Sequence, residues 1–301
     1  MINKISNLKL VLGLVLLGLV YLATVFFDSN KSEELERQLV TIDTAQVTGI
    51  TIISPNETVE LSRESQAWQV QLATGKKVPA VTSKVKSLLT ELQSISPDRL
   101  AAKEKNKWSD YQVDSTGTIV KVTEAGSQTL NMVVGQLGTT SYLRLADQQE
   151  VYASDSFSGL KNSSSVNNFR DNTFLKLATD SIKSIAFNYP ADSSFRIEHT
   201  SNGWQFADGS LADSARIVDY IRKLGLKSND AFSDQDGNSL GELLAEIIVS
   251  TGNEVGLSIK AYSDPTDSVV YQSSSNPTSY FNDDELGDLF FVGKSSLSTG
   301  D

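Results

Sequence analysis

The chain has no cysteine and a single histidine among its 301 residues. Without cysteine there are no thiolate nucleophiles, no cysteine-based zinc sites, no disulfides and no lipidated N-terminal cysteine, although the lack says little about redox compartment. Positive charge is also short: 26 Lys and Arg stand against 37 Asp and Glu, a formal net charge of -11. No basic surface is available to neutralise a phosphate backbone, so nucleic acid is not an expected partner. Neither G-x-x-x-x-G-K-[ST] nor G-x-G-x-x-G occurs, which argues against ATP binding by the chain itself. No G-x-S-x-G is present either, so a Ser-His-Asp hydrolase lacks its usual local signature.

What remains as candidate chemistry is sparse. His199, in "FRIEHT", shares a strand face with Phe195 and Ile197. It reads as a structural or edge-strand residue, because a metal site on one His needs several carboxylates from elsewhere. Ser83 and Lys86 have the bare S-x-x-K spacing, but S-D-N and K-T-G are missing and Lys86 falls in an amphipathic helix. "SDQDGNSLGEL" suggests a calcium loop; with Gly237 at the turn, Phe232 and Leu243 occupy the first and last ligand positions, where oxygens are required. Asp234 and Asp236 are left as carboxylates able to take calcium only weakly. Asp283, Asp284 and Glu285 cluster at an expected helix start, where the helix dipole favours them. The sequence therefore leads to no catalytic residue, cofactor site or metal site.

One long apolar run stands out, Leu10 to Phe27, with Leu14, Leu17 and Tyr21 inside it. At 1.5 Å per residue it makes about 27 Å of helix, close to the roughly 30 Å of a bilayer's hydrocarbon core. Lys4 and Lys9 precede the run, whereas Asp28 follows it, with Lys31, Glu33, Glu34 and Glu36 close behind. That asymmetry places the N-terminus in the cytoplasm and the rest outside. Val25-Phe26-Phe27 put bulky groups where a cleaved signal needs small ones, which favours a retained anchor at residues 1–27. A charged stalk over 28–46 is expected next, with Glu33 and Arg37 one helical turn apart.

The remainder reads as two similar α+β halves, 47–161 and 182–301, with a Ser/Asn-rich joint at 162–181. Short alternating runs at Ile50/Ile52, Val59/Leu61 and Trp68/Val70 have counterparts at Ile185/Phe187, Phe195/Ile197 and Trp204/Phe206. A helix follows in each. Val85, Leu88, Leu89 and Leu92 repeat the spacing of Ile217, Tyr220, Ile221 and Leu224. Thr82 or Ser83 and Asp213 or Ser214 are the expected caps. Two strands joined by a Gly-containing hairpin come next in both halves, and Tyr152 corresponds to Tyr280. The tryptophans are expected to pack beside the helices. The fold class is therefore mostly antiparallel α+β with one main helix per half, behind a single transmembrane helix.

Three stretches, "WSDYQVD" (108–114), "LNMVVGQLGTTSYLRLADQQEVY" (130–152) and "FRDNTFL" (169–175), resemble the bacterial family called domain of unknown function 4340. The family's first stretch usually reads Tyr/Phe-Gly-Leu-Asp with a proline soon after; here it is Tyr111-Gln112-Val113-Asp114 without a nearby proline. The resemblance implies a single-pass envelope protein that accompanies ABC exporters of the gliding-motility type. It carries no catalytic residues over to this chain.

The expected function is a noncatalytic, inner-membrane-anchored accessory or binding protein with its main domain in the periplasm. Its expected partners are membrane lipid and the permease or auxiliary subunits of an ABC transporter. The alternative is an envelope hydrolase acting on glycan or peptidoglycan through scattered carboxylates. A third reading, a substrate-binding subunit, places a ligand cleft at the joint near Phe169, Arg170 and Asp171, where Arg170 and Asp171 are expected to pair with neighbours.

Overall fold

A computed structural model describes residues 39–160, 163–235, 239–252, 254–265 and 268–299. The apolar run with Leu10, Leu14, Leu17, Tyr21 and Phe27 lies outside these residues. Among the described residues no helix is long and apolar enough to cross a membrane.

Two large sheets carry the fold, as expected for an α+β chain. The first is built from β1 (Val47–Ile53), β2 (Thr58–Glu64), β3 (Ala67–Gln71), β4 (Lys77–Pro79), β5 (Arg99–Ala102), β6 (Thr118–Glu124), β7 (Ser127–Leu137), β8 (Thr140–Leu145) and β9 (Val151–Ser154). Its order is β4-β3-β2-β1-β6-β7-β8-β9-β5. A two-stranded piece pairs β10 (Thr173–Leu175) with β14 (Lys227–Ser228). The second large sheet uses β11 (Ser184–Asn188), β12 (Phe195–Thr200), β13 (Gly203–Phe206), β15 (Phe232–Ser233), β16 (Leu243–Thr251), β17 (Glu254–Ser263), β18 (Val269–Ser273) and β19 (Tyr280–Phe281). Its order is β13-β12-β11-β16-β17-β18-β19-β15.

With β4 set aside, the two orders are the same strand for strand. Each half makes a three-stranded meander, then a helix, then a strand that crosses to the far edge, and then four more strands. The register agrees as well: Arg99 faces Ala153 and Leu100 faces Tyr152, while Phe232 faces Phe281 and Ser233 faces Tyr280. Tyr152 and Tyr280 thus hold equivalent places. Eight strands in one shared order, including the crossover, are what a duplicated unit produces.

Helix α1 (Thr82–Gln93) buries Val85, Leu88, Leu89 and Leu92. Helix α2 (Ser214–Lys223) buries Ile217 and Tyr220, with Leu224 just beyond its end. Each such side chain contributes about 1.5–3 kcal/mol of transfer free energy, and that stripe ties helix to sheet in both halves. Asp213 caps α2, its Oδ1 accepting from the amides of Ala215 at 2.9 Å and Arg216 at 3.1 Å. Helix α1 begins at Thr82, one of its two expected caps. The Val81 carbonyl accepts from the amides of Lys84 at 3.0 Å and Val85 at 3.3 Å, and the Val81 amide donates to the Phe169 carbonyl at 2.8 Å. Beside its main helix the second half has α3 (Asp284–Phe290), which starts at the acidic cluster as expected, is capped by Asp283 and buries Leu286 and Phe290.

The described residues fall into two compact units, one of 39–47, Ile52–Asn56 and 87–160, the other of Thr48–Thr51, Glu57–Lys86 and those from 163 onward. In the first, the end of the expected stalk is no spacer: Leu39, Val40 and Ile42 are buried, and the Ile42 carbonyl accepts from the Gln93 amide at 2.6 Å. Hydrophobic side chains at 39, 40 and 42 outweigh the charged composition upstream.

Candidate functional site

The joint residues are structural in their immediate contacts. Phe169 and Arg170 are 2% and 1% exposed. They follow the 3-10 turn Val166–Asn168, whose first amide donates to Glu57 Oε1 at 3.1 Å. Arg170 bridges to Ala80, and the Asp171 amide donates to the Pro79 carbonyl at 3.0 Å. The stretch 162–181 is therefore not a loose linker; its described part supplies Val166, Phe169, Phe174 and Leu175 to the interior.

A guanidinium this deep needs a counter-charge, and Arg170 Nη1 finds Asp234 Oδ1 at 2.6 Å and Asn167 Oδ1 at 3.3 Å. The guanidinium carbon lies 3.7 Å from the centroid of the Phe232 ring. Its Nε is buried without a hydrogen-bond partner. Asp171 turns the chain instead: its Oδ1 accepts from the Thr173 amide at 2.9 Å, and its carbonyl accepts from the Asn276 amide at 2.9 Å. The expectation that Arg170 pairs with a neighbour is met by Asp234, a residue 64 positions away.

The first two family-like stretches come together in the first unit. Trp108 Nε1 donates to the Gln149 carbonyl at 2.9 Å, and Tyr111 packs on Tyr142 at a ring separation of 4.7 Å. Buried Arg144 donates through Nε to the Val113 carbonyl at 3.0 Å, with its guanidinium 3.7 Å from the centroid of the indole of Trp108. Burial lowers the proton affinity of that guanidinium. A Cβ on Gly135 would collide with the Tyr111 and Gln112 carbonyls, and one on Gly117 with the Gln112 carbonyl. Glycine at both places lets the turn lie directly on β7. These residues lock a turn onto a sheet, and none is placed as a nucleophile–base pair.

His199 is exposed on β12 and meets the half-buried Trp204 edge-on at 5.0 Å, across the β12–β13 pair. Trp68 is buried as expected. Asp283 serves as a helix cap and also accepts from the Asn229 amide. Among the described residues no three His, Asp or Glu side chains gather as a metal set. Asp234 is engaged by Arg170, and Asp236 lies outside the described residues. Burial pushes the pKa of the Tyr189 and Tyr220 phenols up, and their hydroxyls donate to the Val292 and Phe290 carbonyls, both at 2.9 Å.

Concave surface occurs in each unit. In the first, a hollow of about 420 Å³ is walled by Leu39–Thr41, Gln128–Asn131 and Leu145–Asp147. In the second, a groove of about 680 Å³ lies between the β11–β12 connection and Gly293–Ser295. Neither takes a wall from Phe169, Arg170 or Asp171. Sequence reading missed the groove, because its walls come from three separate segments without a shared motif.

The pattern defining the family described as Domain of unknown function (DUF4340) matches residues 68–241, more than half of the chain. No curated protein matches the chain, and no solved structure does.

Proposed function

We propose that this chain, which belongs to the family of that domain of unknown function, is a noncatalytic accessory protein held at the inner membrane by its N-terminal segment. Its two α+β halves stand on the extracytoplasmic side, beside an ABC-type exporter or another envelope assembly. The observation that carries this reading is the run Leu10 to Phe27, with lysines before it and acids after it. Two well-packed sheet halves with buried, internally paired charges suit a platform that presents surface.

Anchoring has a physical consequence. Confinement next to a membrane partner raises effective concentration, so weak contacts suffice for occupancy without a large interface. Sheet edges are natural contact places, because their free N–H and C=O groups can add a strand from a partner.

Affinity purification from detergent-solubilised membranes tests the partnership. Recovery of a permease or ATPase subunit in proportion to this chain is the expected result. A purification that recovers the chain intact and no transporter component contradicts it.

A further inference from the structure

The two halves share a topology, so a place where they differ locally shows what one half has gained. In the first half, β1 and β2 are joined by residues 54–57, and Glu57 reaches the first amide of the closing 3-10 turn Val166–Asn168 at 3.1 Å. In the second half the equivalent strands β11 and β12 are joined by residues 189–194. This longer connection bonds to itself: the Tyr189 amide donates to Ser194 Oγ at 2.9 Å, and Ser194 Oγ donates back to the Tyr189 carbonyl at 3.1 Å. The equivalent closing turn, Lys294–Leu297, faces it across the groove of about 680 Å³. That volume falls in the range of small-ligand sites.

The lining narrows the ligand class. Asp192, Asp208, Arg196 and Lys294 border the groove, and their formal charges cancel. Lys294 is engaged by Asp208 and lies 4.7 Å from the centroid of the Phe206 ring. Arg196 is engaged by Glu198 at 2.7 Å and by Ser184 at 3.0 Å. With both cations satisfied, an anionic ligand gains little here. Half-buried Phe195 stacks on Phe187 at 4.3 Å, meets the rings of Phe206 at 6.0 Å and Tyr189 at 6.1 Å, and lines the groove. Exposed hydroxyls of Ser193 and Ser295 and the carboxylate of Asp192 supply donors and acceptors around it.

We propose that this groove of the second half binds a neutral saccharide, its C–H face against Phe195 and its hydroxyls on Asp192, Ser193 and Ser295. The proposal goes beyond the accessory reading and does not rest on it. Full-length protein in a sugar-free detergent, titrated calorimetrically with the tetrasaccharides of N-acetylglucosamine and of glucose, should show saturable binding of at least one. Ser193→Trp and Ser295→Trp, both at exposed positions, fill the groove without entering the core. Each should weaken that binding at least tenfold while the circular dichroism spectrum and thermal midpoint stay at the wild-type values. Absence of saturable binding by both sugars overturns the proposal, as does wild-type affinity in both variants. Binding of an uncharged tetrapeptide in place of either sugar also overturns it.

Discussion

Gln112 ends the 3-10 turn Ser109–Tyr111 in the left-handed region, at φ 55° and ψ 33°. A residue with a Cβ pays about 1 kcal/mol or more there, and glycine does not. In the family pattern that this stretch resembles, glycine usually stands at this place, and the geometry fits that: the turn must reverse so that Val113 can be buried and Asp114 can accept from Thr116. The Gln112 side chain is exposed, so its loss forfeits little packing. Gln112→Gly should therefore raise stability by about 1 kcal/mol. Urea denaturation reads this as a higher midpoint with unchanged slope, and a lower midpoint contradicts the strain argument. Nothing in the residue type of Gln112 discloses its backbone angle, so this feature was not legible in the chain before the fold was.

Asp208 offers a second test at this scale. Its contact with the Lys294 ammonium, and then its bonds from Ser210, hold its carboxyl well below the usual carboxylate range. A lowered folded-state value means that the stabilisation is fully present above the ordinary carboxylate range and is lost as pH falls through the depressed value. In Lys294→Met the Asp208 titration, followed by carboxyl-carbon NMR, should move up towards the ordinary range without reaching it, because the Ser210 bonds remain. An unmoved titration removes Lys294 as the leading cause.

Among the elements, the helices were the most legible and the joint the least. Periodicity alone picks out the buried faces of α1 and α2, since one apolar stripe at 3.6-residue spacing has one sensible burial. The joint misleads because "NSSSVNN" has linker composition, while its burial depends on β4 and on Asp234, neither of which is local in sequence. Strand β4 itself was missed, being three residues long and ending at Pro79. Phe169 and Leu297 close the two halves alike: each carbonyl accepts from the residue at the start of a helix, Val81 at 2.8 Å and Asp213 at 2.9 Å. What looked like a connector is therefore packed structure: Phe169 receives the Val81 amide, while Phe174 and Leu175 lie in the core of the second half.

The ion pair at this joint is unequal in burial, with the Arg170 side chain 2% exposed and Asp234 51%. A pair between exposed groups contributes about 0–1 kcal/mol. Removing Asp234, however, takes the counter-charge from a buried guanidinium and leaves Nη1 with Asn167 Oδ1, and breaking a buried pair in this way costs about 3 kcal/mol. Asp234→Ala should lose roughly that amount in chemical denaturation, and Asp234→Asn less, since its amide oxygen can still accept from Nη1. A loss under about 0.5 kcal/mol, the level of an ordinary surface change, contradicts the assignment of Asp234 as the counter-charge.

For the whole molecule, duplication was legible in rhythm before it was visible in topology. The spacing of apolar pairs gave the meander and helix of each half, while the crossover of β5 and β15 to the far edges required the pairing itself. The groove of the second half was illegible because its walls come from three segments far apart in sequence. The proposed function rests on Leu10 to Phe27 and the charges on either side of it. The central claim is that this run stays in the bilayer and holds the folded halves outside the cytoplasm.

A chain without cysteine lends itself to single-cysteine labelling. S6C, before the apolar run, and K223C, at an exposed position of α2, are each expressed in cells whose outer barrier has been opened, and a membrane-impermeant maleimide is added. The account predicts carbonate-resistant membrane protein labelled from outside at K223C and, at S6C, only after the inner membrane is breached. Protein that fractionates as soluble, or K223C labelling only after that breach, would contradict it.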